Sequence, residues 1–334
     1  MPEPDTATPT CPPRVPAPHT TAHPTSSPRA TRRPHRHAIT AVAATLALVA
    51  GATGCTSGGP TSDDRDKVQV LVSFYPLQFL AERIAPAGAT VATLTPPGAE
   101  PHDLELSPAQ VADIGRANLV IYLSGFQPSV DEAIAARAPA HVVDAATLTH
   151  LESLAADGAS TESGGVPDPH FWLDPLRMEP VADAIASQLT AIVPDDAAGI
   201  AERRDAVVGD LAALGTRFTD GLATCQLTTI VVTHAAFGYL ARRYGLTQLS
   251  VGGIDPDSEP SPARIREVAA SLEGTGVTTV FFESQASPDI ARTLADQAGL
   301  TAEVLDPLEA SAPGDYLTRM DTDLATLRGA LECT

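Results

Sequence analysis

The sequence predicts an α/β fold of two lobes with mainly parallel sheets, joined by a long rigid α-helix. Three observations lead there. Short apolar runs alternate with helical patterns, the signature of parallel strands connected by helices. This scheme runs twice, once in each half of the chain. Between the two runs lies one long, uninterrupted helical stripe. Each lobe then needs its own layers of helix on sheet.

In the first half, strands are expected at residues 68–73, 90–94 and 118–123, with helices at 76–84 and 107–116. In the second, strands are expected at 227–232, 278–282 and 301–305, with helices at 235–244 and 288–298. The connecting helix opens at Pro194-Asp195-Asp196, where proline and acidic residues favour a helix N-terminus. Its apolar positions Ile200, Val207, Leu211, Leu214, Phe218 and Leu222 keep spacings of 7, 4, 3, 4 and 4, so a single face can lie against both lobes. Such a helix runs about 40 Å at 1.5 Å per residue. Gly209 and Gly215 weaken it locally and make a kink the alternative to a straight rod. These boundaries divide the chain into an N-terminal lobe at 67–195, a linker helix at 196–222 and a C-terminal lobe at 223–334.

The residues before the first lobe have a different character. Residues 1–36 are rich in Pro, Thr, His and Arg and lack apolar periodicity, which marks a disordered leader or an upstream start. The basic run Arg32-Arg33-Pro34-His35-Arg36 precedes an apolar segment at 38–51, the order of an export signal. Arg32-Arg33 suggests twin-arginine export, although the residues that follow depart from that pattern. A retained membrane span fits less well, because the run is short and built largely of Ala, Thr and Gly. The segment ends Ala52-Thr53-Gly54-Cys55, which resembles a bacterial lipobox with Cys55 as the lipidated residue. The expectation is a leader and signal at 1–54, a lipidated polar tether at 55–66, and a domain held at the outer face of the cytoplasmic membrane. Losing residues 1–54 removes 5 of 21 Lys+Arg and 2 of 41 Asp+Glu, leaving 16 against 39 and a net charge near −23. That excess of negative charge argues against nucleic acid as a partner.

Beyond Cys11 and Cys55 the chain has only Cys225 and Cys333. In an exported protein an even pair reads as a disulfide, and neither cysteine has the C-x-x-C spacing of a thiolate metal site.

The residues that carry chemistry stand at strand ends or on Pro-marked turns. They are His102 in Pro101-His102-Asp103, His170 in Asp168-Pro169-His170-Phe171-Trp172, His234 in Val232-Thr233-His234, and Asp306 in Leu305-Asp306-Pro307. Three imidazoles and a carboxylate are the donors of a tetrahedral Zn²⁺ shell, and four protein donors leave no position for a reacting water. In open α/β sheets ligands bind beyond the carboxyl ends of the strands, so the four are expected to converge on a divalent metal ion in the cleft between the lobes. Any one of them alone would read as a satisfied polar residue at a strand end; four in equivalent positions read as a site. Glu283, ending the apolar run Phe281-Phe282, is the candidate to orient a ligand from behind, or else to cap the following helix. Glu100, Asp103 and Glu105 are weaker candidates for the same role. His141 and His150 lack this context and read as surface or strand-edge residues.

The ordered motifs Pro-His-Asp, Pro-His-Phe-Trp-Leu-Asp-Pro, Thr-His-Ala-Ala-Phe-Gly-Tyr-Leu, Phe-Phe-Glu-Ser-Gln and a late Asp resemble the solute-binding lipoproteins of zinc and manganese ABC transporters, over residues 67–334. The resemblance implies His102, His170, His234 and Asp306 as metal ligands, a rigid helical link between lobes, and ABC permease subunits as partners. It also implies that manganese-selective relatives carry a carboxylate where this chain has His234. A nitrogen-rich set suits Zn²⁺ better than Mn²⁺. The function expected is therefore a non-enzymatic zinc receptor. A manganese or iron receptor is the nearest alternative, with a surface adhesin or a zinc hydrolase using Glu283 as base further off.

Overall fold

The computed structural model describes residues 67–153, 167–256, 260–284 and 287–334. The signal segment, Cys55, the tether and most of the Ser/Gly-rich stretch after His150 lie outside the described residues. No helix among the described residues is long and apolar enough to cross a membrane.

The first sheet is built from β1 (Gln69–Val72), β2 (Thr90–Thr93), β3 (Leu119–Tyr122) and β4 (Val142–Asp144), all parallel, in the order β2-β1-β3-β4. Its connections are α1 (Tyr75–Ile84), α2 (Pro108–Ile114) and α3 (Pro128–Arg137), and α4 (Ala145–Thr149) follows β4. The helices start where the chain is primed for it. Ser107 closes a reciprocal capping box with Gln110, Pro stands at the first turn of α1, α2 and α3, and the Asp144 carboxylate accepts from Ala146 N. After α5 (Glu179–Ile192) and α6 (Ala197–Leu222), the second sheet repeats the arrangement. It consists of β5 (Thr229–Val232), β6 (Thr247–Ser250), β7 (Thr279–Phe282) and β8 (Thr301–Val304), again all parallel, in the order β6-β5-β7-β8. Helices α7 (Gly238–Arg243), α8 (Pro262–Ser271) and α9 (Asp289–Ala298) connect its strands, and α10 (Tyr316–Ala330) ends the fold. The predicted α/β class with parallel sheets and a long intervening helix is what the structure shows. The periodicity reading leaves out β4 and β6, short strands on sheet edges, and the helices α3, α4, α5, α8 and α10.

The two-residue period of the strands explains how the sheets are joined. Val70 and Val72, Leu119 and Ile121, Ile230 and Val232, and Phe281 face one continuous apolar cluster shared by both sheets. Leu71 and Val120 point the other way, to a separate cluster beneath α2 and α3, and Val231 and Val280 to one beneath α8 and α9. Each central strand thus buries one face locally and the other in common with the rest of the molecule. The buried stripe of α6 is Ile200, Val207, Leu211, Leu214, Gly215, Phe218 and Leu222, and all but the glycine belong to the shared cluster. At Gly215 a Cβ would stand 3.3 Å from Leu176 Cδ2, a tight approach that the half-exposed leucine would have to yield to. A common core between the sheets resists large relative movement, because close-packed interiors deform little.

Cys225, just past α6, is bonded to Cys333 at the end of α10 across 108 positions. Gln226 N and Leu227 N both donate to Leu331 O beside it. Closing so long a loop restricts the unfolded chain, so Cys225→Ser/Cys333→Ser will lose about 4 kcal/mol of stability and lower Tm by roughly 10 °C. Calorimetry of oxidised wild type and variant checks this; coincident transitions contradict it.

Candidate metal centre

Four side chains from four segments meet beyond the carboxyl ends of the two sheets. His102 follows β2 on an irregular run shaped by Pro96, Pro97 and Pro101. His170 precedes a 3₁₀ turn at Phe171–Leu173. His234 follows β5, and Glu309 comes from the loop after β8. One ligand atom from each lies within 4.8 Å of the others. The ring centroids of His170 and His234 are 4.8 Å apart, and those of His102 lie 5.6 and 5.7 Å from them.

Two of the histidines are held from behind by carboxylates. His170 Nδ1 donates to Asp168 Oδ1 at 2.6 Å, and the same oxygen accepts from His170 N at 2.9 Å. His234 Nδ1 donates to Glu283 Oε1. This second pair forms because β5 and β7 are neighbours in the sheet, so the residues just after them meet at the point where the strand order reverses. A carboxylate on Nδ1 fixes the tautomer and leaves Nε2 as the donor for a cation. His102 has an apolar support instead, its ring standing edge-on to Phe126 at 4.6 Å. Phe74 and Trp172 complete a buried aromatic floor, and Trp172 lies 5.2 Å from His170.

The front of the cluster is poor in hydrogen bonds. His170 Nε2 is 2.9 Å from Glu309 Oε1, and His102 Nε2 is 3.5 Å from Glu309 Oε2. Yet none of these four buried atoms has a properly directed hydrogen-bond partner. Buried polar atoms left so are costly unless something else satisfies them. His234 Nε2 faces the carbonyl of Ile254 at 2.6 Å.

Charge in the site is tightly coupled. Burial opposes protonation of His170, but Asp168 and Glu309 outweigh it and hold the imidazole up at about 10. His234 is raised likewise, Glu283 overcoming its burial. Glu309 is pushed below the ordinary carboxylate range: burial would raise it, and the imidazoles of His102 and His170 more than reverse that. Glu100, whose Oε1 accepts from His102 N at 2.9 Å, is raised to about 7 by burial and by the charge of Glu309.

The structure thus brings together His102, His170 and His234 and places Glu283 behind His234. Asp306 is not among the four clustered donors, although it lines the small recess beside Glu309 and Glu283. Its Oδ2 accepts from Nε and Nη2 of Arg319 at 2.9 and 2.7 Å, and its Oδ1 accepts from Leu308 N at 2.9 Å. Where the sequence leads one to expect Asp306 as the fourth donor, the structure places Glu309, three residues on in the same loop, beside the three histidines. Arg319 engages the Asp306 carboxylate, and past the left-handed Leu308 it is Glu309 that joins the cluster. Asp103 and Glu105 are exposed and stand apart from the cluster, whereas Glu100 lies at its edge. The sequence reading leaves out Asp168 as an orienting residue, although it stands two positions before His170; a carboxylate that close to a candidate ligand is the signal that points to it.

Residues 70–330 match the profile of the family described as ZnuA, zinc-uptake complex component A, periplasmic. The chain belongs to this family. It is 30% identical over 286 residues to the zinc-binding protein AdcA of Streptococcus pyogenes serotype M3, covering 78% of this chain and 56% of that protein. It therefore spans little more than half the length of that relative. It is 28% identical over 307 residues to the high-affinity zinc uptake system protein ZnuA of Bacillus subtilis, covering 87% of this chain and 96% of that one. Among solved structures, the laminin-binding protein Lmb of Streptococcus agalactiae, described as bifunctional with adhesin and metal-transporting activity, superimposes with a TM-score of 0.72. That match has 29% identity and covers 79% of this chain and 99% of that one. ZnuA-family membership and the two-lobed parallel α/β fold agree with the resemblance read from the sequence motifs.

Proposed function

We propose that this protein is an extracytoplasmic zinc receptor that captures Zn²⁺ between its lobes and delivers it to the permease of an ABC transporter. The observation that carries this reading is the convergence of His102, His170, His234 and Glu309, with ligand atoms within 4.8 Å of one another. Three nitrogens and one carboxylate suit tetrahedral Zn²⁺, and the buried atoms without hydrogen-bond partners are the ones a cation would satisfy. With neutral imidazoles and ionised Glu309, the bound ion and its four ligands carry a net charge of +1. The carboxylates of Asp168 and Glu283 behind two of the imidazoles more than offset that excess. A shell filled by protein has no position for water, and Glu283 is engaged with His234, so the arrangement supports holding a metal over hydrolysing a substrate.

The organisation that goes with this reading is a lobe at 67–195, a connector at 196–222 and a lobe at 223–334. A cleaved leader ends at residue 54, and a lipid on Cys55 tethers the domain to the outer face of the membrane. Delivery would follow docking on the permease, with small lobe displacements loosening the four-donor shell.

Trp172 is the only tryptophan, is buried, and sits beside His170. Its emission is expected to change saturably at one equivalent of Zn²⁺, and Mn²⁺ is expected to compete only at much higher concentration. Stronger competition by Mn²⁺ than by Zn²⁺ would turn the assignment to a manganese receptor. No response together with no bound metal by mass spectrometry would remove the receptor reading.

A further inference from the structure

Glu309 is presented by a loop held on both sides by one buried arginine, through the Asp306 carboxylate before it and the Ala310 carbonyl after it. Arg319, on α10, is 6% exposed. Its Nε and Nη2 donate to Asp306 Oδ2, and its Nη1 donates to Ala310 O at 2.9 Å. The guanidinium also lies 4.9 Å from the centre of the Tyr75 ring, and Tyr75 N donates to Glu309 O at 3.4 Å. Between the two anchors, Asp306 N donates to Asp323 Oδ1 at 3.0 Å, and Trp172 Nε1 donates to Pro307 O at 2.7 Å. Leu308, immediately before Glu309, is fully buried and left-handed, with φ of 58°. A branched side chain does not choose that conformation unaided; the surrounding contacts must impose it.

We propose that Arg319, acting through Asp306 and Ala310, is a positioning residue that sets the direction from which Glu309 meets the metal, and so determines the preference for Zn²⁺ over Mn²⁺. This inference rests on the zinc-receptor reading. A carboxylate on a pinned backbone offers one oxygen along a fixed line, which suits a four-donor tetrahedral ion. Mn²⁺ favours a larger, oxygen-rich shell, and a loosened Glu309 serves it better by turning to offer both oxygens. Lysine cannot replace the planar fork that reaches Asp306 and Ala310 together.

The test uses the purified protein with Zn²⁺ and Mn²⁺ as the only probes, comparing wild type, Arg319→Lys and Asp306→Asn. Arg319→Lys is expected to weaken Zn²⁺ by on the order of tenfold or more, to change Mn²⁺ much less, and so to lower the zinc-to-manganese preference by about the same factor. In a Glu309→Gln background the same substitution is expected to add nothing, since a residue that acts through Glu309 has nothing left to direct. A wild-type preference in Arg319→Lys overturns the proposal, and so does an equal loss with and without Glu309. Should Arg319→Lys fail to show a cooperative unfolding transition, Asp306→Asn decides, because it removes the ion pair while its side-chain oxygen can still accept from Leu308 N. An unchanged preference there also overturns the proposal. Failure of the wild type itself to bind Zn²⁺ strikes the receptor reading instead.

Discussion

Glu309→Gln will weaken zinc binding by on the order of a hundredfold or more, above the range for residues that only orient a ligand. The substitution keeps size and shape while removing the only carboxylate among the four clustered donors. Its effect has two opposed parts. Losing an anionic donor removes both a bond to the ion and the charge that balances it. Losing the charge beside His170 also makes that imidazole easier to deprotonate, which reduces proton competition and recovers part of the loss. The first effect dominates because the site is buried, with His170 and Glu309 0% and 4% exposed, so no water shell replaces the missing anion. Competition against a chelating dye measures the change. Zinc affinity within threefold of wild type would show that Glu309 is not a donor. The metal-free variant should also be less stable in mild acid, where protonated His170 would have lost one of its two carboxylate partners.

Zinc affinity will fall steeply with acid, while the protein stays folded. His170 is held up at about 10 and His234 is raised above its usual value, so in the metal-free protein at and below about pH 6.5 both carry a proton that Zn²⁺ must displace. Two displaced protons correspond to roughly a hundredfold loss of apparent affinity per pH unit in that range, and one to roughly tenfold. Isothermal titration at pH 6.5 in buffers of different ionisation enthalpy should find about two protons released per zinc. Release near zero would exclude these imidazoles as ligands. The stability of the metal-free fold moves the other way. His170, raised in the folded state, contributes stability that is complete below its unfolded value near 6.5 and fades as pH rises towards 10. Glu309, lowered in the folded state, contributes stability that is present above about 4.5 and fades only as pH falls below that. Between about pH 4.5 and 6.5 both contributions are in place, so acid unloads the site before it unfolds the chain.

How much of this could be read beforehand depended on the range of the interaction. The stripe of α6 was legible to the residue, because a helix 26 residues long repeats its period many times. The strand β4 was not, since three residues give too short a run to show alternation, and neither was β6, whose Thr-Gln-Leu-Ser carries a single apolar residue. The three histidines were legible because proline turns and strand ends mark where an α/β fold presents side chains. The fourth donor was not. Asp306 and Glu309 lie in one loop, three residues apart, and nothing local distinguishes them. Arg319, which arrives from α10, engages the Asp306 carboxylate, and Glu309 is the one that stands with the histidines.

What the amino-acid order determined by itself was therefore everything carried by local periodicity and by residue chemistry. That comprises two α/β halves, a long connector, a cysteine pair and a set of imidazoles suited to zinc. Tertiary structure alone decided which carboxylate joins the three histidines, that Glu283 reaches His234, and that both sheets share one core. Those outcomes depend on contacts between segments tens to hundreds of residues apart, whose energies no stretch of sequence contains until the chain has folded.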